Sequence, residues 1–259
     1  SAVRSFQRFG NTYYYLLRQV ISATVGLAAL YFFSRFDYHF FRRFARFILL
    51  GSILTMAVVL IPGVGFAVGG SRSWFNTGLF FVQPSEFARI AIIIYLAAWF
   101  DRKKNAETNF WFGIVPPVLA AGVLVGLTLL KRDLGAATVM VMIIGIMLFA
   151  AGAKGQYLLG LTAAAAAGLW LLLQALPQKA ARFVTFLDPS LDPRGIGYHI
   201  NQALLAVGSG GFWGYGFGAS RQKHNFLPEP IGDSIFAVMA EELGFLRISF
   251  VVLLFGLFA

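Results

Sequence analysis

Three carboxylates stand out, each at the opening of an apolar segment. Asp233 follows Leu227-Pro228-Glu229-Pro230-Ile231-Gly232 and precedes a hydrophobic run to Ala259. Glu86 follows Gln83-Pro84-Ser85 and has Arg89 one turn later, and Asp133 ends the short turn Lys131-Arg132-Asp133. A carboxylate at the mouth of an apolar cavity is a credible general base, because desolvation disfavours its ionised form. The same residues can do structural work. Asp233 with Ser234, and Asp133, can cap helices by accepting the first unpaired N–H groups. Glu86 suits the positive end of a helix and can pair with Arg89. Arg72, Arg194, Arg221 and Lys223 are candidate cationic partners for an anion such as pyrophosphate, to which guanidinium makes paired charge-assisted bonds. His224 reads as a loop contact.

The elements that must position these residues are hydrophobic helices. Of 259 residues, 58% are hydrophobic and 12% charged, against about 25% charged in soluble domains. The mean hydropathy is +0.73. These values imply a polytopic membrane protein. The absence of cysteine excludes disulfides, thiolate metal sites and cysteine nucleophiles. The three histidines lack metal-ligand spacing. The net charge of +10 suits anchoring to anionic lipid, and no basic run stands on a soluble module as nucleic-acid binding would need.

Seven apolar segments, near Tyr13–Ser34, Phe44–Ile61, Pro84–Phe100, Trp111–Leu130, Leu134–Gly152, Tyr157–Leu176 and Asp233–Ala259, predict an all-α transmembrane bundle. The last would be one helix of about 27 residues, roughly 40 Å, against a hydrocarbon core of about 30 Å. It would carry Glu241 about 12 Å below Asp233, and charge within a membrane is costly enough to suggest function. Basic residues Arg35, Arg42, Arg43, Arg46, Arg102, Lys103, Lys104 and Lys154 gather on one side, which the positive-inside rule makes cytoplasmic. Residues 1–12, 62–83, 131–133 and 177–232 then face outward. The last is the large outer loop, between the sixth and seventh spans. Its stretch Tyr198–Val207 is amphipathic. Its run Gly208 to Gly218, dense in glycine and aromatics, suits a membrane interface better than a phosphate loop, for which the spacing is wrong. Ala163–Ala167 with Gly168 reads as a helix-packing face.

Taken in order, several motifs resemble the SEDS family (shape, elongation, division and sporulation) of cell-wall polymerases, which comprises FtsW, RodA and SpoVE. They are Gly70-Ser71-Arg72-Ser73-Trp74, Gln83-Pro84-Ser85-Glu86, Asp133-Leu134-Gly135, Asp192-Pro193 with Gly197-Tyr198, Gln202-Ala203-Leu204, Gly214-x-Gly216-x-Gly218, Leu227-Pro228-Glu229 with Asp233-x-Ile235-Phe236-Ala237, and Glu241-Glu242-Leu243-Gly244. Phe149–Lys154 and Ser220–Lys223 look more like the FtsW/SpoVE branch.

The resemblance implies a single SEDS-type domain over residues 1–259, lacking the family's first helix and its last two. It also implies a glycosyltransferase that polymerises lipid II on the outer face of the bacterial inner membrane. A class B penicillin-binding protein and divisome proteins would be its partners. The family's loop aspartate falls on Asp233, its glutamate after Gln-Pro on Glu86, and its outer-turn aspartate on Asp133. Arg72, Arg89, Arg221, Lys223 and Glu229 are then expected to bind substrate. A divalent cation on Glu86, Asp133 or Asp233 is the alternative source of positive charge. The chain departs from the family at Ile231-Gly232, where His-Thr is common, at Arg89, where lysine is common, and at Lys131-Arg132, where Gln-Pro is common. Two other readings remain. A flippase for lipid-linked sugar would need polar access from the cytoplasmic half, and the helices Trp111–Leu130 and Leu134–Gly152 are uncharged between their ends. A recruiting scaffold would not need Glu86 and Glu241.

Overall fold

The computed structural model describes all residues except 1–4, 7–9, 69–70, 77–80, 104–106, 108, 176–183, 186–187, 189–191, 193–194, 224–226, 228–231 and 259. Glu229, Arg194, His224 and the proline lead-in to Asp233 therefore lie outside the described residues. Among the described residues eight long helices dominate: α1 Tyr14–Ser34, α2 His39–Leu60, α3 Pro84–Arg102, α4 Val115–Leu130, α5 Leu134–Ala150, α6 Gly155–Ala175, α7 Ile196–Ser209 and α8 Ile235–Phe258. A π-helical turn, Phe110–Ile114, leads into α4. Of these, α1, α2, α6 and the continuous stretch Phe110–Leu130 are long and apolar enough to cross a membrane, while the apolar α5 is shorter.

The chain divides into two compact units, Leu30–Trp170 and Ser1–Ala29 with Leu171–Ala259. In the first, α2 buries Ala45, Leu49, Ser52, Met56 and Val59, a stripe whose three- and four-residue steps keep one helical face inward. It meets Ala88, Ile92, Tyr95 and Leu96 of α3, with Ala121 and Leu124 of α4 and Met140, Ile144 and Leu148 of α5 completing one core. The alanines let the helix axes approach closely, which membrane helices need because lipid offers no hydrophobic drive between them. Asp133 closes the turn before α5 by accepting from the Ala136 N–H at 3.0 Å, so α4 and α5 form a tight antiparallel pair.

Several expectations need correction. The chain is not purely α. It holds a small antiparallel sheet, β1 Phe66–Val68, β2 Ser71–Asn76 and β3 Phe81–Val82, in that order. Phe66 pairs with Trp74 and Phe75 with Val82, and the register shifts between Phe66 and Ala67. Strands of two to six residues are too short for alternation to reveal. The second correction concerns the alanine run Ala163–Ala167: α6 buries none of its apolar window among the described residues, and α1 has no buried side chain.

In the second unit α7 covers the expected amphipathic stretch and packs on α8, sharing a small core of Ala206, Leu227 and Ala237. The single straight helix from Asp233 to Ala259 does not form. Helix α8 is broken at Gly244, whose φ of 75° and ψ of 175° are non-helical.

Candidate functional site

The break at Gly244 organises the second unit. A break in a helix leaves carbonyls below it and N–H groups above it without helical partners, and each must find another. The glycine-rich segment after α7 provides them. Tyr215 and Gly216 donate N–H to the Glu241 and Glu242 carbonyls at 3.1 and 3.0 Å, while Phe245 and Leu246 donate to the Gly211 and Phe212 carbonyls at 2.8 and 3.4 Å. Backbone thus lies directly on backbone. A Cβ on Gly214 would fall 2.3 Å from the Glu242 carbonyl oxygen, and one on Gly244 would fall 2.3 Å from the Gly214 nitrogen. Both glycines have φ of 75°, a region other residues rarely adopt. The glycines therefore serve close packing, while the aromatics among them, Phe212, Trp213 and Phe217, remain exposed.

Below this splice sits the acidic pair that the sequence placed inside the membrane. Glu241 is 1% exposed. Its carboxylate accepts from the Ser220 hydroxyl at 2.5 Å, the Arg221 N–H at 2.9 Å and the Gln222 N–H at 3.4 Å. Glu242 accepts from the Gly218 N–H at 2.9 Å, the Ser220 N–H at 3.3 Å and the Lys223 ammonium at 2.8 Å. Two buried charges are tolerable only with such a set of partners. The pair clamps residues 218–223 to α8. Lys223 is thereby committed to Glu242, whereas Arg221 is exposed, its guanidinium 5.2 Å from the centre of the Tyr215 ring.

Asp233 lies in the turn before α8 and is exposed. It does not act as the helix cap. Ser234, buried beside it, faces the His199 Nε2 at 3.5 Å. That brings α7 to the head of α8, a neighbour that sequence spacing did not reveal. Among the described residues Asp233 makes no hydrogen bond or ion pair. Every other described carboxylate of this unit is engaged: Asp192 with the Gly195 N–H at 2.9 Å, Asp188 elsewhere, and the two glutamates in their clamp.

In the first unit, Arg89 pairs with Glu86 at 2.7 Å, as the spacing predicted. Glu86 is exposed, while the Arg89 Nε is buried without a partner. Arg72 lies on β2 opposite Ala67. Asp133 works as a cap, as above. Behind it Lys131 is buried at 3% exposure with its ammonium 3.3 Å from the Met56 sulfur. Burial pulls its pKa down, and the nearby Asp133 charge opposes that. An apolar groove of about 790 Å³ opens between α2 and α3, its walls including Phe41, Ile48, Phe87, Ile90 and Ile94. Among the described residues no three His, Asp or Glu side chains gather as a metal site.

The whole chain, residues 1–259, matches the FTSW_RODA_SPOVE family of cell cycle proteins. The chain belongs to this family. It is 38% identical over 259 residues to stage V sporulation protein E of Bacillus subtilis, covering 99% of this chain and 70% of that protein. It is 34% identical over 255 residues to the probable peptidoglycan glycosyltransferase FtsW of Geobacter sp. strain M18, covering 98% and 70%. Among solved structures it resembles a chain of a peptidoglycan synthase complex in which polymerisation and crosslinking are coordinated, with a TM-score of 0.72, 26% identity, and 93% and 67% of the two chains covered. The rod shape determining protein RodA of Thermus thermophilus follows with a TM-score of 0.60, 26% identity, and 93% and 62% covered. The chain therefore spans about two thirds of the length of its relatives. The family and the apolar helices together make it a multi-pass membrane protein.

Proposed function

We propose that the chain is a peptidoglycan glycosyltransferase that polymerises lipid II at the outer face of the bacterial inner membrane, for septal wall synthesis. The observation that carries this is the exposed carboxylate of Asp233 at the head of α8, which makes no hydrogen bond or ion pair among the described residues, in a unit where every other described acid is bound. Asp233 takes the proton from the sugar 4-hydroxyl of the acceptor. The freed oxygen attacks the anomeric carbon of the donor, and the bond to undecaprenyl pyrophosphate breaks. Both electrons leave on the pyrophosphate, so the departing charge needs neutralising more than protonating. Arg221, exposed on the clamped loop, is a candidate for that work, and Lys223 holds that loop to Glu242. Arg72, Glu86, Arg89, Asp133 and Glu229 are assigned to substrate binding on the family's pattern, and the apolar groove supports accommodation of a polyprenyl chain. The partner is a class B penicillin-binding protein within the divisome.

The test is reconstitution with lipid II, comparing glycan products from wild type and Asp233→Asn. The amide cannot accept the proton, and product is expected to vanish while the protein remains folded. Undiminished polymer would reject Asp233 as base. Movement of lipid II across the bilayer without polymer would favour a flippase instead.

A further inference from the structure

At the end of the first unit opposite the sheet, α2, α3 and Lys103 just beyond α3 line a second pocket, of about 260 Å³. Its floor is apolar, formed by Ala45 and Ala98, and its walls are Tyr95 and Trp99. Arg46, Arg102 and Lys103 complete the lining, with no carboxylate among the lining residues. The nearby acid, Asp101, is taken by Arg42 at 2.7 Å. The walls are fixed from behind: the Trp99 indole N–H donates to the Gly113 carbonyl at 2.9 Å, and the Lys103 ammonium donates to the Phe112 carbonyl at 2.7 Å while lying 4.8 Å from the Trp99 ring centre. Arg102 donates to the Arg42 carbonyl. Arg46 alone of the three cations makes no hydrogen bond or ion pair among the described residues.

We propose that this pocket binds the headgroup phosphate of an anionic phospholipid of the phosphatidylglycerol class, with Arg46 making a contact that exists only when the lipid is present. Three facts select that occupant. The pocket lies toward one end of α2, a helix long and apolar enough to cross a membrane, where a headgroup sits. Its aromatic pair belongs to the interfacial depth at which Trp and Tyr partition. Its volume admits a phosphodiester and glycerol but not the acyl chains, which would continue along exposed apolar side chains such as Phe47 and Leu50. Basic pockets between helices at the membrane surface bind anionic headgroups for this reason. The site does not depend on which leaflet it faces, nor on the enzymatic reading.

The experiment is native mass spectrometry of the detergent-purified protein titrated with phosphatidylglycerol or with phosphatidylcholine of the same chains. Wild type is expected to retain phosphatidylglycerol preferentially. Arg46→Gln and Lys103→Gln should each weaken that retention about fivefold, the effect of one basic residue near an anionic surface. Arg43→Gln, outside the pocket, should weaken it less than either pocket variant. A thermal melt of each variant identifies loss of fold, and the second pocket variant decides if the first fails to fold. Equal retention of both lipids by wild type, or phosphatidylglycerol bound by a folded Arg46→Gln as by wild type, would overturn the proposal. Inorganic phosphate that displaced the lipid at equal concentration would overturn the lipid assignment.

Discussion

Glu241 is the residue at which structural and chemical readings of this family's acidic pair divide. The sequence allows it to be a reactive intramembrane carboxylate. The structure makes it the anchor of loop 218–223. Both carboxylate oxygens are occupied, one by the Arg221 N–H and the other by the Ser220 hydroxyl, with the Gln222 N–H shared at 3.4 Å. In Glu241→Gln the amide oxygen can keep the backbone donors and the amide nitrogen can donate to the Ser220 oxygen, so the loss is mainly of charge assistance. That amounts to about 2 kcal/mol, within the range for hydrogen bonds to charged groups. Glu241→Ala removes all the acceptors and leaves a cavity behind Ser220, for a loss on the order of 4 kcal/mol.

Amide hydrogen exchange across residues 218–223 measures this directly. One factor of ten corresponds to about 1.4 kcal/mol, so opening of the loop should rise about 30-fold in the glutamine variant and on the order of a thousandfold in the alanine variant. Lipid II polymerisation should fall in that same order, because Arg221 rides on the loop while Asp233 is untouched. Unchanged exchange in Glu241→Ala would refute the clamp. Activity lost completely in Glu241→Gln with exchange unaltered would return Glu241 to a direct chemical role.

Three further outcomes are expected. Gly244→Ala should cost several kcal/mol or prevent folding, since positive φ and a Cβ 2.3 Å from the Gly214 nitrogen combine strain with overlap; a thermal melt checks this, and a variant as stable as wild type would show that the backbone splice can relax. The buried Lys131 has its pKa lowered by desolvation from 10.5, so between that lowered value and pH 10.5 the unfolded chain binds the extra proton. Stability should therefore rise with pH through that window, and Lys131→Met should remove that contribution to the slope in melting temperature. The Glu86–Arg89 pair is half exposed on the glutamate side, so Glu86→Gln should change stability by less than about 1 kcal/mol while reducing lipid II polymerisation if Glu86 binds substrate; equal activity would leave it a local helix-start pair.

The helices were legible because their cause is local. Apolar runs bounded by Pro, Asp and short basic turns predict α2 to α6 within a few residues, and the Glu86–Arg89 and Asp133 contacts follow from helix geometry at known spacing. What escaped the sequence depends on partners distant in the chain. Strands of the length of β1 to β3 declare themselves through pairing. The break at Gly244 could not be read because the sequence around it remains apolar and helix-forming, and only the facing carbonyls of Gly211 and Phe212 make the break affordable. For the same reason the glycines at 214, 216 and 218 looked like an interfacial loop, when their spacing matches a chain laid against the acidic end of a half-helix.

That arrangement also changes what the conspicuous charges mean. Two glutamates on an apolar helix suggested chemistry because burying them is costly, and the cost is met by four backbone N–H groups, one hydroxyl and one ammonium. Their burial is thus a reason for loop 218–223 to have one conformation. The carboxylate left over is Asp233, exposed and unbound among the described residues at the head of the same helix. A general base must hold its lone pairs ready for a substrate proton, so the most heavily bonded acids are the poorest candidates and the least bonded one the best. Division of labour between a clamped pair and an open aspartate on one half-helix is what ties the break at Gly244 to the proposed chemistry.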